Sequence, residues 1–306
     1  MRIDWRETTG YIFIILASCF FGASASIGKS LMQHEVSTIM LMQTRSIITG
    51  LILIPLLLLF GRKHLKIHGK DWILFILLAI PGIALVNSSY YYAVKLLTVA
   101  LAVFLQFTAP VLVFLYGWAT GKEKVTQGKT LALLLSLLGT YFMVKLHGHT
   151  NIHVSAIGVI SAIVSTIAYA FYVILSHELG KKYSPWTLIC FGYSIAAIFW
   201  CTIQNPVETA SILSKNDLWN EAVLFSFCST LIPCTLFLNG LRRVTPTAAT
   251  IASTTETLSA TIFAYLFLGE ILTTGQFVGG MLIVSAILLL AYKKKEAVPQ
   301  ELSLTA

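Results

Sequence analysis

The chain has 306 residues, 57% of them hydrophobic and 11% charged, with a mean hydropathy of +0.81. Soluble domains run at about 45–50% apolar and about 25% charged, so this composition excludes a soluble enzyme, a nucleic-acid binder and a disordered protein, and predicts an integral membrane protein. The net charge of +8 would suggest nucleic acid in a soluble chain; in a polytopic one it reports orientation.

At the amino end, Arg2 and Arg6 precede an apolar stretch ending in Ala23-Ser24-Ala25, the pattern of a secretory signal with its cleavage site. The apolar run continues to Ile27, so this segment is read as a retained span. Apolar runs separated by short polar loops then fall near Gly10 to Lys29, Val36 to Phe60, Trp72 to Val94, Thr98 to Ala119, Gln127 to Leu146, Val154 to His177, Pro185 to Ile203, Trp219 to Leu241, Thr245 to Leu268 and Gly275 to Tyr292. Each is near the ~20 residues that a membrane-crossing helix needs. The runs are continuously apolar, without the alternation of barrel strands. The expected fold is therefore all-α, a polytopic membrane protein of ten transmembrane helices with no room for an extramembrane catalytic domain. The five cysteines, Cys19, Cys190, Cys201, Cys228 and Cys234, lie within apolar runs without paired ligand spacing; neither a disulfide framework nor a zinc site is expected.

Ten spans place both termini on one side. The loops on that side carry 16 of the 21 Lys and Arg residues, against four on the other, with Arg45 inside the second span. Such an imbalance in short loops marks the cytoplasmic side, so both termini are expected in the cytoplasm and the protein in the cell (inner) membrane. Sliding the sequence by 147 positions aligns Lys95 with Arg242, Thr98 with Thr245, Glu123 with Glu270, Thr126 with Thr273 and Gly128 with Gly275. The halves, 1–147 and 148–306, then hold five spans each. An odd repeat inserts in opposite directions, and inverted repeats are the usual build of alternating-access carriers, with the solute site between them near mid-depth.

Two stretches carry a resemblance: Thr108-Ala109-Pro110 through Gly121-Lys122-Glu123, and Ser253-Thr254-Thr255-Glu256 through Leu268-Gly269-Glu270. They resemble the two copies of the EamA-like domain of the drug/metabolite transporter superfamily, in which the fourth and ninth spans run from small residues and a helix-breaking proline to a closing Gly-Glu. The resemblance covers about Tyr11 to Ala291 and includes an arginine in the second span, here Arg45. It implies ten helices around a central cavity, with the fifth and tenth peripheral. The chain departs from the pattern in two places: Lys122 is inserted before Glu123, and Thr257 stands where a proline commonly follows the glutamate. The second departure removes the sequence signal for a break in the ninth span.

Ionisable groups inside a bilayer are costly and are functional candidates by default. Glu256 lies about 11 residues, roughly 16 Å, from one end of its span, and Arg45 about nine residues, roughly 13 Å, from one end of its own. Gln106 comes to a similar depth. Glu256 is read as a proton-coupling carboxylate or a counter-ion for a cationic group, and Arg45 as the partner of a substrate carboxylate or the group that sets the pKa of Glu256; the alternative is a buried ion pair between the two that fastens helices. Asn87 with Tyr91, and Tyr169 with Tyr172, share helix faces and are secondary candidates for lining the site, or else interhelical hydrogen-bonding groups. The hydroxyls Ser253, Thr254, Thr255 and Thr257 either line a cavity or bond back to their own helix. Pro55, Pro81, Pro110 and Pro233 bend spans, and Pro110 is the candidate gate. His147, His149 and His153 lack a metal spacing and are read as a solvated loop. Glu123 and Glu270 recur at span ends as caps or gate contacts. No phosphate-binding glycine loop is present.

The sequence thus predicts a secondary active transporter, not an enzyme. Its solutes are small polar metabolites such as amino acids, moved by alternating access with protons as the candidate coupling ion, and export is the direction the resemblance favours. Its expected partners are a small-molecule substrate and the lipid bilayer, with no cofactor, metal or nucleic acid; the oligomeric state stays open. A passive facilitator of sugars or carboxylates, and a multidrug efflux carrier, are the alternatives.

Overall fold

The computed structural model describes residues 5–97, 99–144, 155–268 and 273–291, and every regular element among them is helical. The chain opens with two continuous helices, α1 (Trp5–Met32) and α2 (Thr38–Phe60). Ser37 starts α2, its hydroxyl accepting the Met40 N–H at 3.2 Å, which satisfies one of the free amides of a helix start. The third span is composite: α3 (Trp72–Leu77), a π-helical segment Leu78–Ala84 containing Pro81, and α4 (Leu85–Leu96). Proline removes a backbone donor and crowds the preceding turn, and a widened π turn is one way of absorbing it. The fourth span divides into α5 (Val99–Gln106) and α6 (Ala109–Ala119).

α7 (Gln127–Val144), α8 (Ala156–Gly180) and α9 (Pro185–Ile203) are continuous. α10 (Pro206–Lys215) is short, and α11 (Trp219–Ser226), a π segment Phe227–Leu231 and α12 (Ile232–Leu241) form the next composite span. α13 (Pro246–Ser253), α14 (Thr255–Leu268) and α15 (Thr274–Ala291) complete the described chain.

Among the described residues nine helices are long and apolar enough to cross a membrane. The difference from the expected ten lies at Thr245 to Leu268, which is divided at Thr254 into α13 and α14, of 8 and 14 residues. No proline stands at this break. The hydroxyls of Ser253, Thr254, Thr255 and Thr257 bond back to the carbonyls of Thr250, Ile251, Ala252 and Thr254, three residues behind each, at 2.7–2.8 Å. The Thr254 and Thr257 amides also bond three residues back, at 3.2 and 3.1 Å. A run of such bonds draws carbonyls out of the i−4 ladder and bends the helix. The hydroxyl run is therefore back-bonded, and it supplies the break that the missing proline left without a signal.

In the fourth span the break falls at Phe107 and Thr108, ahead of Pro110, which sits in the first turn of α6. α10 occupies a stretch read as loop; Thr209 donates to Gln43 at 2.6 Å and Gln43 donates to the Gln204 carbonyl at 2.7 Å, fixing it to α2. Residues 145–154, with His147, His149 and His153, and residues 269–272, with Glu270, lie outside the described residues, as does Thr98.

The perimeter is apolar: Phe60, Ile198, Phe277 and Leu288 are more than half exposed. The interior carries hydroxyls, with Ser136, Ser165, Thr230 and Thr250 fully buried, as suits helices that associate in lipid through small and hydrogen-bonding residues. α4 packs on α8, α2 on α9, and α1 on α12 and α14, while α7 and α15 pair chiefly with each other. The α7–α15 crossing depends on two glycines, since a Cβ on Gly139 would lie 2.8 Å from the Gly279 carbonyl and one on Gly279 would lie 2.6 Å from that of Gly139.

Candidate functional site

The interrupted helices converge. α13 packs against α6 and α8, and the π segment of the third span packs against α8 and α9. Tyr169 on α8 meets the break between α13 and α14, its hydroxyl 3.2 Å from that of Ser253. The Tyr169 and Tyr172 rings lie 6.5 Å apart and 21° from parallel, and Tyr172 lies over Phe237 of α12 at 6.5 Å and 19°. This file of three rings spans from α8 to α12. Tyr172 also rests on Gly82, where a Cβ would be 3.6 Å from its ring, so the π segment gives the aromatic file its room.

Glu256 is in the first turn of α14, where the helix dipole favours negative charge. Its carboxylate makes no hydrogen bond or ion pair with a described residue, yet lies within electrostatic range of Tyr90, Tyr91 and Tyr169. Arg45, in the middle of α2, is 8% exposed. Its Nε is buried without a partner, and no carboxylate among the described residues lies within ion-pair distance. The nearby groups are Tyr91, Tyr193 of α9 and Cys234 of α12. Tyr91 thus senses both charges, which face one region without forming the helix-fastening pair considered from sequence.

Tyr91, Tyr169, Tyr172 and Glu256 are half-buried. Buried polar atoms ordinarily find a hydrogen-bond partner. Of the six that lack one among the described residues, four, Thr44 Oγ1, Arg45 Nε, Thr49 Oγ1 and Ser194 Oγ, belong to α2 and α9. Thr49 follows Arg45 by one turn, on the same face. Ser194 lies against Gly50, 3.0 Å from where a Cβ would stand. Every one of these groups can donate to an acceptor.

The other sequence candidates divide. Asn87 donates to the carbonyl of Ile83 at 2.6 Å, serving its own helix beside the π segment. Gln106 ends α5 half-buried, without a hydrogen bond to a described residue, at the break itself. Pro110 is buried in the first turn of α6. Sequence reasoning missed Tyr90, Tyr193 and Phe237. Tyr90 follows Asn87 by three residues and was open to the same spacing argument; Tyr193 and Phe237 sit in apolar runs with no pattern to mark them.

The comparisons agree with this build. The family described as the EamA-like transporter family matches the chain twice, over residues 8–145 and 156–292. An uncharacterized transporter of Archaeoglobus fulgidus is 31% identical over 212 residues, covering 68% of this chain and 74% of that protein. The threonine/homoserine exporter RhtA of Salmonella typhimurium is 27% identical over 65% of each chain. A solved crystal structure superposes with a TM-score of 0.72 at 16% identity, covering 94% of this chain and 97% of that one.

Proposed function

The chain belongs to the EamA-like transporter family, and on that premise we propose that it is a secondary active carrier that exports small zwitterionic metabolites of the amino-acid class by alternating access, with protons as the coupling ion. The observation that carries this reading is the pair of charges, Arg45 and Glu256, that find no ion-pair partner among the described residues and both lie within electrostatic range of Tyr91. An isolated buried charge costs several kcal/mol, and a solute that brings a carboxylate to Arg45 and an ammonium group to Glu256 would neutralise both. Tyr169 and Tyr172 offer the ammonium group an aromatic face, and Gln106 is free to contact the solute. Between solutes, a proton on Glu256 would lower the cost of the empty carboxylate.

Ten spans in two inverted five-helix repeats, 1–147 and 148–306, suit this mechanism, with both termini cytoplasmic in the inner membrane. Two positions support the repeat. The break at Phe107 and Thr108 recurs 147 residues after Phe107, at Thr254, and the π segment Leu78–Ala84 overlaps its counterpart Phe227–Leu231 at the same offset. Pro110 and the hydroxyl run beside Glu256 then weaken equivalent points, where each repeat can flex.

Threonine is the first solute to test, given the exporter among the relatives. In proteoliposomes, Glu256→Gln is expected to abolish threonine movement driven by a proton gradient while threonine counterflow continues at raised threonine concentration. Gradient-driven movement at the parent rate would rule out coupling at Glu256, and absence of counterflow in the parent would rule out threonine.

A further inference from the structure

On the face with the basic loops, the turn between α6 and α7 reaches across to the second half of the chain. Gly121 adopts φ +66°, a conformation that side chains rarely accept, and it directs the next two residues at separate targets. Lys122 Nζ bonds to Glu178 of α8 at 2.7 Å, and that carboxylate holds the ammonium above the ordinary lysine range. Glu123 turns inward, its side chain only 8% exposed and 2.8 Å from Lys129. Its second oxygen accepts the backbone N–H of Thr247 at 3.1 Å. The first half of the chain therefore supplies a carboxylate to the amino end of α13, where free amides and the helix dipole attract it.

What α13 separates gives this contact its meaning. A cleft of about 470 Å³ opens on the same face, lined by Arg6, Glu123, His177, Arg242 and Arg243 among others. It reaches inward to Val113 and Ile174 without touching Tyr169, Tyr172 or Ser253. From Thr247 to Ser253 every residue of α13 is buried. The helix has 8 residues, about 12 Å at about 1.5 Å per residue. One end holds the Glu123 carboxylate; the other ends at the break before Glu256. α13 thus runs from the cleft to the break before Glu256, held by Glu123 at one end and jointed at the other.

We propose that Glu123 is the gating residue of this face: while its carboxylate holds α13 the central site is shut from the basic side, and its withdrawal lets α13 swing on the Thr254 joint and open the site to the cleft. This rests on reading the chain as an alternating-access carrier. The contact must then break once in each transport cycle, while the Lys129 pair on the other oxygen keeps the carboxylate within its own half.

The test uses the full chain with its five cysteines replaced and Tyr91→Cys as reporter, in membrane vesicles of both orientations. A membrane-impermeant maleimide then reads access to the central site from each face. Glu123→Ala is expected to raise labelling from the basic face roughly fivefold or more, the scale of losing a helix cap, and to leave labelling from the opposite face no faster. Glu123→Cys with Thr247→Cys, joined by a short, reducible bifunctional thiol reagent, is expected to abolish labelling from the basic face and to restore it when the bridge is reduced. Unchanged labelling in Glu123→Ala, faster labelling from both faces at once, or a bridged protein that labels as fast as the unbridged one would each overturn the gate. Labelling requires no solute, so failure of threonine transport and failure of the gate remain separate results.

Discussion

An arginine at mid-depth in a membrane helix, with no carboxylate to meet it, is either a structural burden or a binding group. The two readings differ in what its removal does. If Arg45 were part of a stabilising network, truncation would leave partners unsatisfied and destabilise the protein. Since it has none among the described residues, Arg45→Met is expected to leave the melting temperature in detergent unchanged or higher, as replacing a buried charge by an apolar side chain often does. Threonine affinity should fall roughly 30-fold or more, because removing one partner of a buried charge pair typically costs at least about 2 kcal/mol. Calorimetry with threonine alongside thermal denaturation measures both; a lower melting temperature with unchanged affinity would return Arg45 to a structural role. That both Arg45 and Glu256 fall inside apolar runs was legible in the sequence, because position is a count along the chain. Their failure to pair was not, because it depends on how α2 and α14 are rotated against α4, α8 and α9.

Elements tell a similar story about what pattern carries. Apolar runs of about 20 residues located the spans, since hydrocarbon thickness sets their length. The interruptions were harder to read. Pro81 and Pro110 announced distortion in the third and fourth spans, yet the break in the fourth falls before the proline, at Thr108, whose hydroxyl bonds to the Leu105 carbonyl at 2.6 Å. In α13–α14 hydroxyls do the same without a proline, a signal spread over several weak groups. This makes the joint adjustable by substitutions that keep side-chain shape. Thr254→Val combined with Thr257→Val removes two back-bonds and restores carbonyls to the i−4 ladder. Thermal stability should change by no more than about 1 kcal/mol, the net worth of a typical hydrogen bond. Turnover in counterflow should drop while threonine affinity holds, because the stiffened joint impedes movement and leaves the binding groups in place. Unchanged turnover would show that α13 and α14 need not flex against each other.

At the scale of the molecule, charge and packing have different determinants. The uneven distribution of Lys and Arg was legible from the chain alone because the loops are short and each charge acts through its side of the bilayer rather than through a partner. The basic face is also tied together: Lys122 and Lys181 share Glu178 at 2.7 and 2.8 Å, Lys182 meets Asp71 at 3.5 Å, and Tyr183 donates to Asp71 at 2.6 Å. The Lys122–Glu178 pair and the links to Asp71 were not readable, since they join segments distant in sequence; Lys181 lies three residues from Glu178. α10 was missed because ten residues of mixed polarity carry no span signal, although Asn205, Pro206 and Glu208 form a proper helix start. It holds Lys215 on the opposite face, where the ion pair with Glu35 is long, 3.9 Å, and exposed. Orientation can therefore be tested with one residue on each side. In the cysteine-free protein, Lys63→Cys should react with an impermeant maleimide only in inside-out vesicles and Lys215→Cys only in intact cells. Both positions are exposed, so neither should be silent for want of access. If the two exchange faces, the basic loops lie outside and the Glu123 gate faces the exterior. If both label from one side, an odd number of spans separates their expected topology from the real one, and the two inverted halves cannot each hold five.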